Sequence, residues 1–208
     1  MYKLVIFDFD GTLADSARWF AGELNALAVR FGFRQVTEAE IECLRGRDTR
    51  EVLRFLGVPR WKLPLIARCV RRRMAADAEA ILLFPGAKAL LRRLAGQGVV
   101  LGVVSSNSAQ NVRRILGAEA AALVEHYECG AGLFGKAAKF RKLVRRARVQ
   151  PAQTLCIGDE TRDIEAARAA GLASGAVVWG YARREVLAER APTWLFESPD
   201  DVAARLAA

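Results

Sequence analysis

The 208-residue sequence has a single histidine, His126, and four cysteines, Cys43, Cys69, Cys129 and Cys156, none in a C-x-x-C pair. With no Ser or Cys motif for His126 to serve, a His-dependent serine or cysteine hydrolase triad is excluded. Scattered thiols give neither a zinc site nor a redox dithiol, so reduced, buried cysteines are expected. No apolar run approaches the roughly 20 residues that a membrane-spanning helix needs. The opening Met-Tyr-Lys-Leu-Val-Ile-Phe-Asp meets acids too early for a signal peptide, so a cytoplasmic protein with no membrane partner is expected. Repeats, low-complexity tracts, helix-turn-helix patterns, fingers and aromatic-rich RNA motifs are also missing. The net charge of +9 is therefore read as a solvated basic surface that also draws in small anions, not as a nucleic-acid footprint. Its only tight cluster is Arg71-Arg72-Arg73. Oligomeric state is not legible.

What is present is apolar material for a core: 52% of residues are hydrophobic, enough for one large domain or one domain with an insertion. Short apolar runs at 3–7, 99–104, 154–157 and 176–179 read as strands buried on both faces, with weaker candidates at 126–129 and 193–196. Apolar residues at helical spacing fill 87–94, 109–116, 137–148 and 163–170, and Gly117 and Gly171 stand where helices would stop. This alternation predicts a mostly parallel sheet covered by helices. From about 15 to 83 it breaks, and only helices are found. Trp19, Phe20, Leu24, Leu27 and Phe31 share one helical face, and Thr37 with Glu40 makes a capping box. Val52, Leu53, Phe55 and Leu56 precede a helix-stopping Gly57, a further helix runs to about residue 80, and Phe84-Pro85-Gly86 marks the return. Residues 1–14 and 84–208 are thus expected to form the core domain and 15–83 an inserted helical subdomain.

The most informative segment is Asp8-Phe9-Asp10-Gly11-Thr12-Leu13, directly after the first strand. Side chains two apart in extended chain point the same way, so Asp8 and Asp10 project together from the strand's carboxyl end, where open α/β sheets bind ligands. Paired carboxylates raise each other's pKa unless a cation or a proton transfer makes use of them.

Here the sequence resembles the haloacid dehalogenase-like superfamily, whose signature is an apolar strand followed by D-x-D-G-T-L. Three more motifs appear in order: Val103-Val104-Ser105-Ser106-Asn107, Gly135-Lys136, and the acidic Ile157-Gly158-Asp159-Glu160-Thr161-Arg162-Asp163. The resemblance implies an α/β fold with a doubly wound, mostly parallel Rossmann-like sheet, helices on both faces and an all-helical cap. It also implies a phosphatase of the phosphoglycolate-phosphatase-like branch, acting on a small phosphorylated metabolite. In the implied mechanism Asp8 attacks phosphorus to form an aspartyl-phosphate, and Asp10, its pKa raised by its neighbour, protonates the departing alkoxide and then activates water. The implied cofactor is Mg²⁺, held by Asp8, the main-chain carbonyl of Asp10 and Asp159. Asp163 bonds metal-bound water or holds the motif lysine, and Glu160 is a possible substitute.

Lys136, preferred over Lys139 and Lys142, cancels phosphoryl charge. Ser106 is chosen as the phosphoryl-binding hydroxyl because Asn107 follows it; Ser105 and Ser106 face opposite ways, so both should not serve. Main-chain N–H groups of Asn107 and of Phe9 or Asp10 complete the cradle, and Ser108 reads as a helix N-cap with Asn111 at N3. In the insertion, Arg45, Arg47 and Arg50 are candidates for a substrate carboxylate or second phosphate. Asp10 argues against a dehalogenase. A phosphonatase using Lys62, a sugar-phosphate phosphomutase, and a noncatalytic anion- or nucleic-acid-binding module are the alternatives.

Overall fold

The computed structural model describes residues 1–130 and 135–206 of the chain. Strand β1 (Leu4–Phe7) has every side chain buried, as a strand covered on both faces requires. It lies at the centre of a six-stranded sheet with β2 (Val100–Val104), β3 (His126–Glu128), β4 (Thr154–Gly158), β5 (Ala173–Val177) and β6 (Trp194–Phe196). The order is β3-β2-β1-β4-β5-β6, and every pairing is parallel. Phe7 is level with Val103 on one side and Ile157 on the other. The residues that leave β1, β2 and β4 therefore emerge at one edge, at the point where the strand order reverses.

Alternation along β1 divides the core. Val5 and Phe7 pack with Leu91 and Leu94 of α5 (Ala87–Gly96), Val112 and Leu116 of α6 (Ala109–Leu123) and Val202 of α10 (Pro199–Leu206). Leu4 and Ile6 pack with Phe140 and Leu143 of α7 (Lys136–Ala147) and Ala167 of α8 (Thr161–Ala170). Leu187 of α9 (Arg184–Glu189) joins Ile164 and Ala176 in a smaller cluster.

Between β1 and β2 the chain forms α1 (Ala17–Phe31), α2 (Glu38–Leu44), α3 (Thr49–Phe55) and α4 (Leu63–Ala76), with a 3-10 turn at Arg60–Lys62 and no strand among the described residues. Leu24, Val36, Leu44 and Leu56 form the insertion's own apolar cluster. The capping box at Thr37 and Glu40 is present. Ser108 caps α6 by accepting from Asn111 N at 3.1 Å, and Gly171 closes α8 in the left-handed region. The chain leaves and re-enters the core side by side, since Asp15 N donates to Leu82 O and Phe84 N to Leu13 O, both at 2.9 Å.

Three boundaries and two helices differ from the sequence reading. β5 occupies Ala173–Val177, earlier than the apolar run at 176–179. The strand includes Ser174 and Gly175 because Phe196 leaves no room there: a Cβ at Gly175 would come within 2.6 Å of its ring. α4 stops at Ala76, and the chain then turns so that Ala78 and Ile81 enter the main core. α6 continues to Leu123 across a break at Gly117, where φ is 77° and ψ 161°. α9 and α10 lie in stretches where the sequence reading placed no helix. None of the helices is long and apolar enough to cross a membrane among the described residues.

Edge strand β3 is tied to α7 through Glu128. Its carboxylate accepts from Lys142 Nζ at 2.9 Å and Arg146 Nη1 at 2.8 Å, and its main-chain oxygen accepts from Lys139 Nζ at 2.9 Å. Burial opposes the charge, but the bonds from Lys142 and Arg146 outweigh it and hold the Glu128 pKa below the ordinary 4.5. With the folded value below the unfolded one, the stabilisation is complete above the unfolded pKa and drains as pH falls through the folded value. Glu128→Gln is expected to lower Tm by a few degrees at neutral pH, with the gap from wild type closing as melts are taken from about pH 7 to about pH 3. A gap that ignores pH would contradict the ion-pair assignment.

Candidate active site

Lys136, the first residue of α7, is buried, and its Nζ lies 2.7 Å from Asp8 Oδ2 and 2.5 Å from Asp163 Oδ1. Asp8, immediately beyond β1, accepts on its other oxygen from Phe9 N at 2.8 Å. Asp159, immediately beyond β4, accepts from Thr12 Oγ1 on Oδ1 and from Tyr181 N on Oδ2, both at 2.9 Å. Asp163 sits in the first turn of α8, where it accepts from Glu160 N at 3.1 Å. Glu160, the N-cap, also accepts from Thr49 Oγ1 of the insertion at 2.8 Å and pairs with Arg162 at 2.5 Å. Four separated stretches of chain thus meet at the sheet's carboxyl edge.

The acids crowd. Carboxylate oxygens of Asp8, Asp159 and Asp163 lie within 4.8 Å of one another, all three residues buried. Burial pushes the Asp8 pKa up to about 7, opposed by Lys136 and aided by Asp163. Asp159 is pushed well above the carboxylate range by burial and then by Glu160, Asp8 and Asp163. For Lys136, burial works against the charge, but Asp163 and Asp8 overcome it and hold the ammonium more firmly charged than an ordinary lysine. Such a set fits a hard divalent ion: the donors are all carboxylate oxygens, and opposite ligands of octahedral Mg²⁺ stand about 4.2 Å apart, twice the usual ~2.1 Å bond. Asp10 lies outside this three-acid group.

Asp10 has different surroundings. Its Oδ2 accepts from Ser105 Oγ at 3.2 Å, while its buried Oδ1 accepts no hydrogen bond among the described residues. Its pKa is raised chiefly by burial, opposed by the neighbouring Ser16 and Ser105 hydroxyls and by the charge of Lys136. Around the second motif, Ser105 is the buried serine beside Asp10, and its Oγ also accepts from Asn107 N at 2.9 Å. Ser106, singled out from sequence, instead lies partly exposed on a cavity wall, where its main-chain oxygen accepts from Arg71 Nη1 at 3.2 Å. Buried Asn107 reaches the insertion through Met74 and accepts from Ser108 N at 2.8 Å.

The three insertion arginines diverge. Arg45 lines the cavity, but its guanidinium donates to the carbonyls of Tyr181 at 2.9 Å and Gly180 at 3.2 Å. Arg47 lies over the Phe55 ring, 5.4 Å from its centroid, and Arg50 is an exposed residue of α3; neither is on the cavity wall. Lys62 Nζ donates to Phe31 O at 2.6 Å, also away from that wall. Lys139 and Lys142 are engaged with Glu128.

Sequence reasoning missed Thr12, Arg162 and the Trp179–Tyr181 loop. Thr12 was visible inside the first motif. The loop was not: Trp179 Nε1 donates to Thr12 O at 3.0 Å across 167 positions. Two glycines permit this crowding. A Cβ at Gly11, whose φ is +81°, would fall 2.1 Å from Asp159 Oδ2, and one at Gly180 would fall 2.2 Å from Asp159 Cβ.

With this geometry in view, comparison with known proteins is informative. The profile of the haloacid dehalogenase-like hydrolase family matches residues 5–177, and the chain belongs to that family. A phosphoglycolate phosphatase of Synechococcus elongatus is 37% identical over 201 residues, covering 96% of this chain and 95% of its own. A phosphoglycolate phosphatase of Xanthomonas campestris pv. campestris is 31% identical, covering 86% of this chain and 84% of its own. The solved structure of a predicted phosphatase from Clostridium acetobutylicum superposes with a TM-score of 0.85 at 20% identity, over 100% of this chain and 99% of that one, which speaks for the fold. The protein is an enzyme, a hydrolase of the class that acts on phosphoric monoesters.

Gly11→Ala tests the packing of the acids. It is expected to cost about 1–2 kcal/mol through the left-handed backbone and, by displacing Asp159, to lower kcat/KM for phosphate release about 100-fold. Thermal melts and phosphate-release kinetics check both, and wild-type activity in this variant would contradict the assigned crowding.

Proposed function

We propose that this chain is a Mg²⁺-dependent phosphatase that hydrolyses a small phosphomonoester through an aspartyl-phosphate on Asp8. The observation that carries the reading is the contrast between the two aspartates of the first motif. Asp8 is clamped by the charged Lys136, whereas Asp10, two residues on, keeps a buried carboxyl oxygen without a hydrogen-bond partner among the described residues at the cavity. One acid is held for attack and the other for proton transfer.

An Asp8 carboxylate oxygen bonds to phosphorus as the bond from phosphorus to the ester oxygen breaks. Asp10, whose pKa burial raises, gives a proton to the departing alkoxide. Asp10 then takes a proton from the incoming water, the bond from phosphorus to Asp8 breaks, and phosphate leaves. Lys136 offsets the charge collected on Asp8 and the phosphoryl group. Asp163 holds Lys136 in place, and Asp159 is fixed by Thr12 and Tyr181. Ser105, in place of Ser106, is the strand-end hydroxyl of the site, orienting Asp10 through its hydrogen bond. Asp8, Asp159 and Asp163, with the Asp10 carbonyl, would hold Mg²⁺, whose charge makes the meeting of two anions tolerable.

Residues 15–83 act in this reading as a helical cap over the site. Phosphoglycolate, the substrate named for the Synechococcus relative, is the first ester to test, and the four free thiols support a cytoplasmic setting.

Phosphate release from phosphoglycolate and a panel of phosphomonoesters should require Mg²⁺ and stop with chelator. Asp8→Asn should abolish it, and Asp10→Asn should lower kcat about 10²- to 10⁴-fold. Undiminished turnover by folded Asp8→Asn would remove the covalent mechanism.

A further inference from the structure

The cavity that Asp10 and Asp159 border has a volume of about 570 Å³ and runs into the interior of the helical insertion. Beyond the acids its wall is mostly apolar, with Leu24 and Leu27 of α1, Val52 of α3, Ile66 and Val70 of α4, and Trp179 from the loop over Asp159. Protein interiors leave few voids larger than a water molecule, so a recess of this size opening at the acids is a binding site rather than slack packing. Resting on the phosphatase reading above, we infer that the site takes phosphate monoesters of apolar alcohols, the phosphate at the acids and an alkyl or aryl body in the recess among α1, α3 and α4.

The cations of the wall argue the same way. Arg45 is spent on the carbonyls of Gly180 and Tyr181, Arg71 on the Ser106 carbonyl, and Arg162 on Glu160. Each ties down a loop of the site instead of facing into the recess as a carboxylate receptor. Arg18, at the start of α1, is a wall cation without a partner among the described residues. A substrate as short as phosphoglycolate, with two carbons and a carboxylate beyond the ester oxygen, would leave the apolar volume unfilled. A longer alkyl or aryl body would occupy more of it and remove its own apolar surface from water.

Binding of n-alkylphosphonates, which cannot be hydrolysed at the P–C bond, separates this inference from the catalytic one. Calorimetry with Mg²⁺ should show Kd falling about fourfold for each methylene from ethyl to hexyl, with a negative heat-capacity change. Butylphosphonate should bind more tightly than 3-phosphonopropionate, its carboxylate-bearing counterpart. Filling the recess with Ala67→Phe should flatten the dependence on chain length; if that variant fails to fold, the wild-type series still decides. A Kd that ignores chain length, or tighter binding of 3-phosphonopropionate through Arg18, would overturn the apolar pocket even if phosphate release is observed. A chain-length dependence without phosphate release from any ester would leave the pocket standing and sink the phosphatase reading.

Discussion

The placement of Lys136 between Asp8 and Asp163 is the interaction on which the rest of the site depends. Three acids with oxygens within 4.8 Å of one another would repel strongly in a buried setting, and each charge has lost most of its hydration. Removing one partner from a buried ionic group costs about 3–5 kcal/mol, whereas an apolar replacement of the whole group is often neutral or stabilising. Stability therefore gives no reason for the arrangement. Lys136 is the cation that offsets the charge of these acids, and the proposed phosphoryl transfer calls on that same cation.

Everything upstream serves to bring that group together. Parallel register levels the ends of β1, β2 and β4, so Asp8, Ser105 and Asp159 each follow their strand at the same edge. α7 delivers Lys136 from its first turn while Glu128 ties the body of that helix to β3. The main chain does the fine positioning. Phe9, Glu160 and Tyr181 donate N–H groups to the three acids, and Gly11 and Gly180 leave the space that makes their approach possible.

How much of this was legible follows from how local each signal is. A buried strand, a capping box and an acid-rich motif are written in neighbouring residues, so the sheet, the helical insertion, Asp8, Lys136 and Asp159 could all be picked out. Ser106 is chosen from the motif on the ground that only one of the two serines could face the site, yet Ser105 bonds Asp10 while Ser106 lines the cavity beside it, because both follow the end of β2 where strict alternation stops. The three insertion arginines are close in sequence yet end α2, overlie Phe55 and sit on α3, three different directions. The Trp179–Tyr181 loop was illegible for the same reason: its partners are Thr12, Arg45 and Asp159, far away along the chain.

The insertion and the acid edge also touch through a few polar contacts. Thr49 reaches Glu160 at 2.8 Å, Arg45 reaches the Gly180 and Tyr181 carbonyls, and Arg183 Nη2 reaches Glu42 O at 2.9 Å. Beyond the apolar packing of Val70 and Met74 on the main core, hydrogen bonds of this sort contribute about 0.5–1.5 kcal/mol each. Their anchors lie beside Asp159 and in the loop that fixes it, so parting them loosens the grip on that acid. The contacts that join the insertion to the core and those that fix Asp159 thus share the loop at Gly180 and Tyr181.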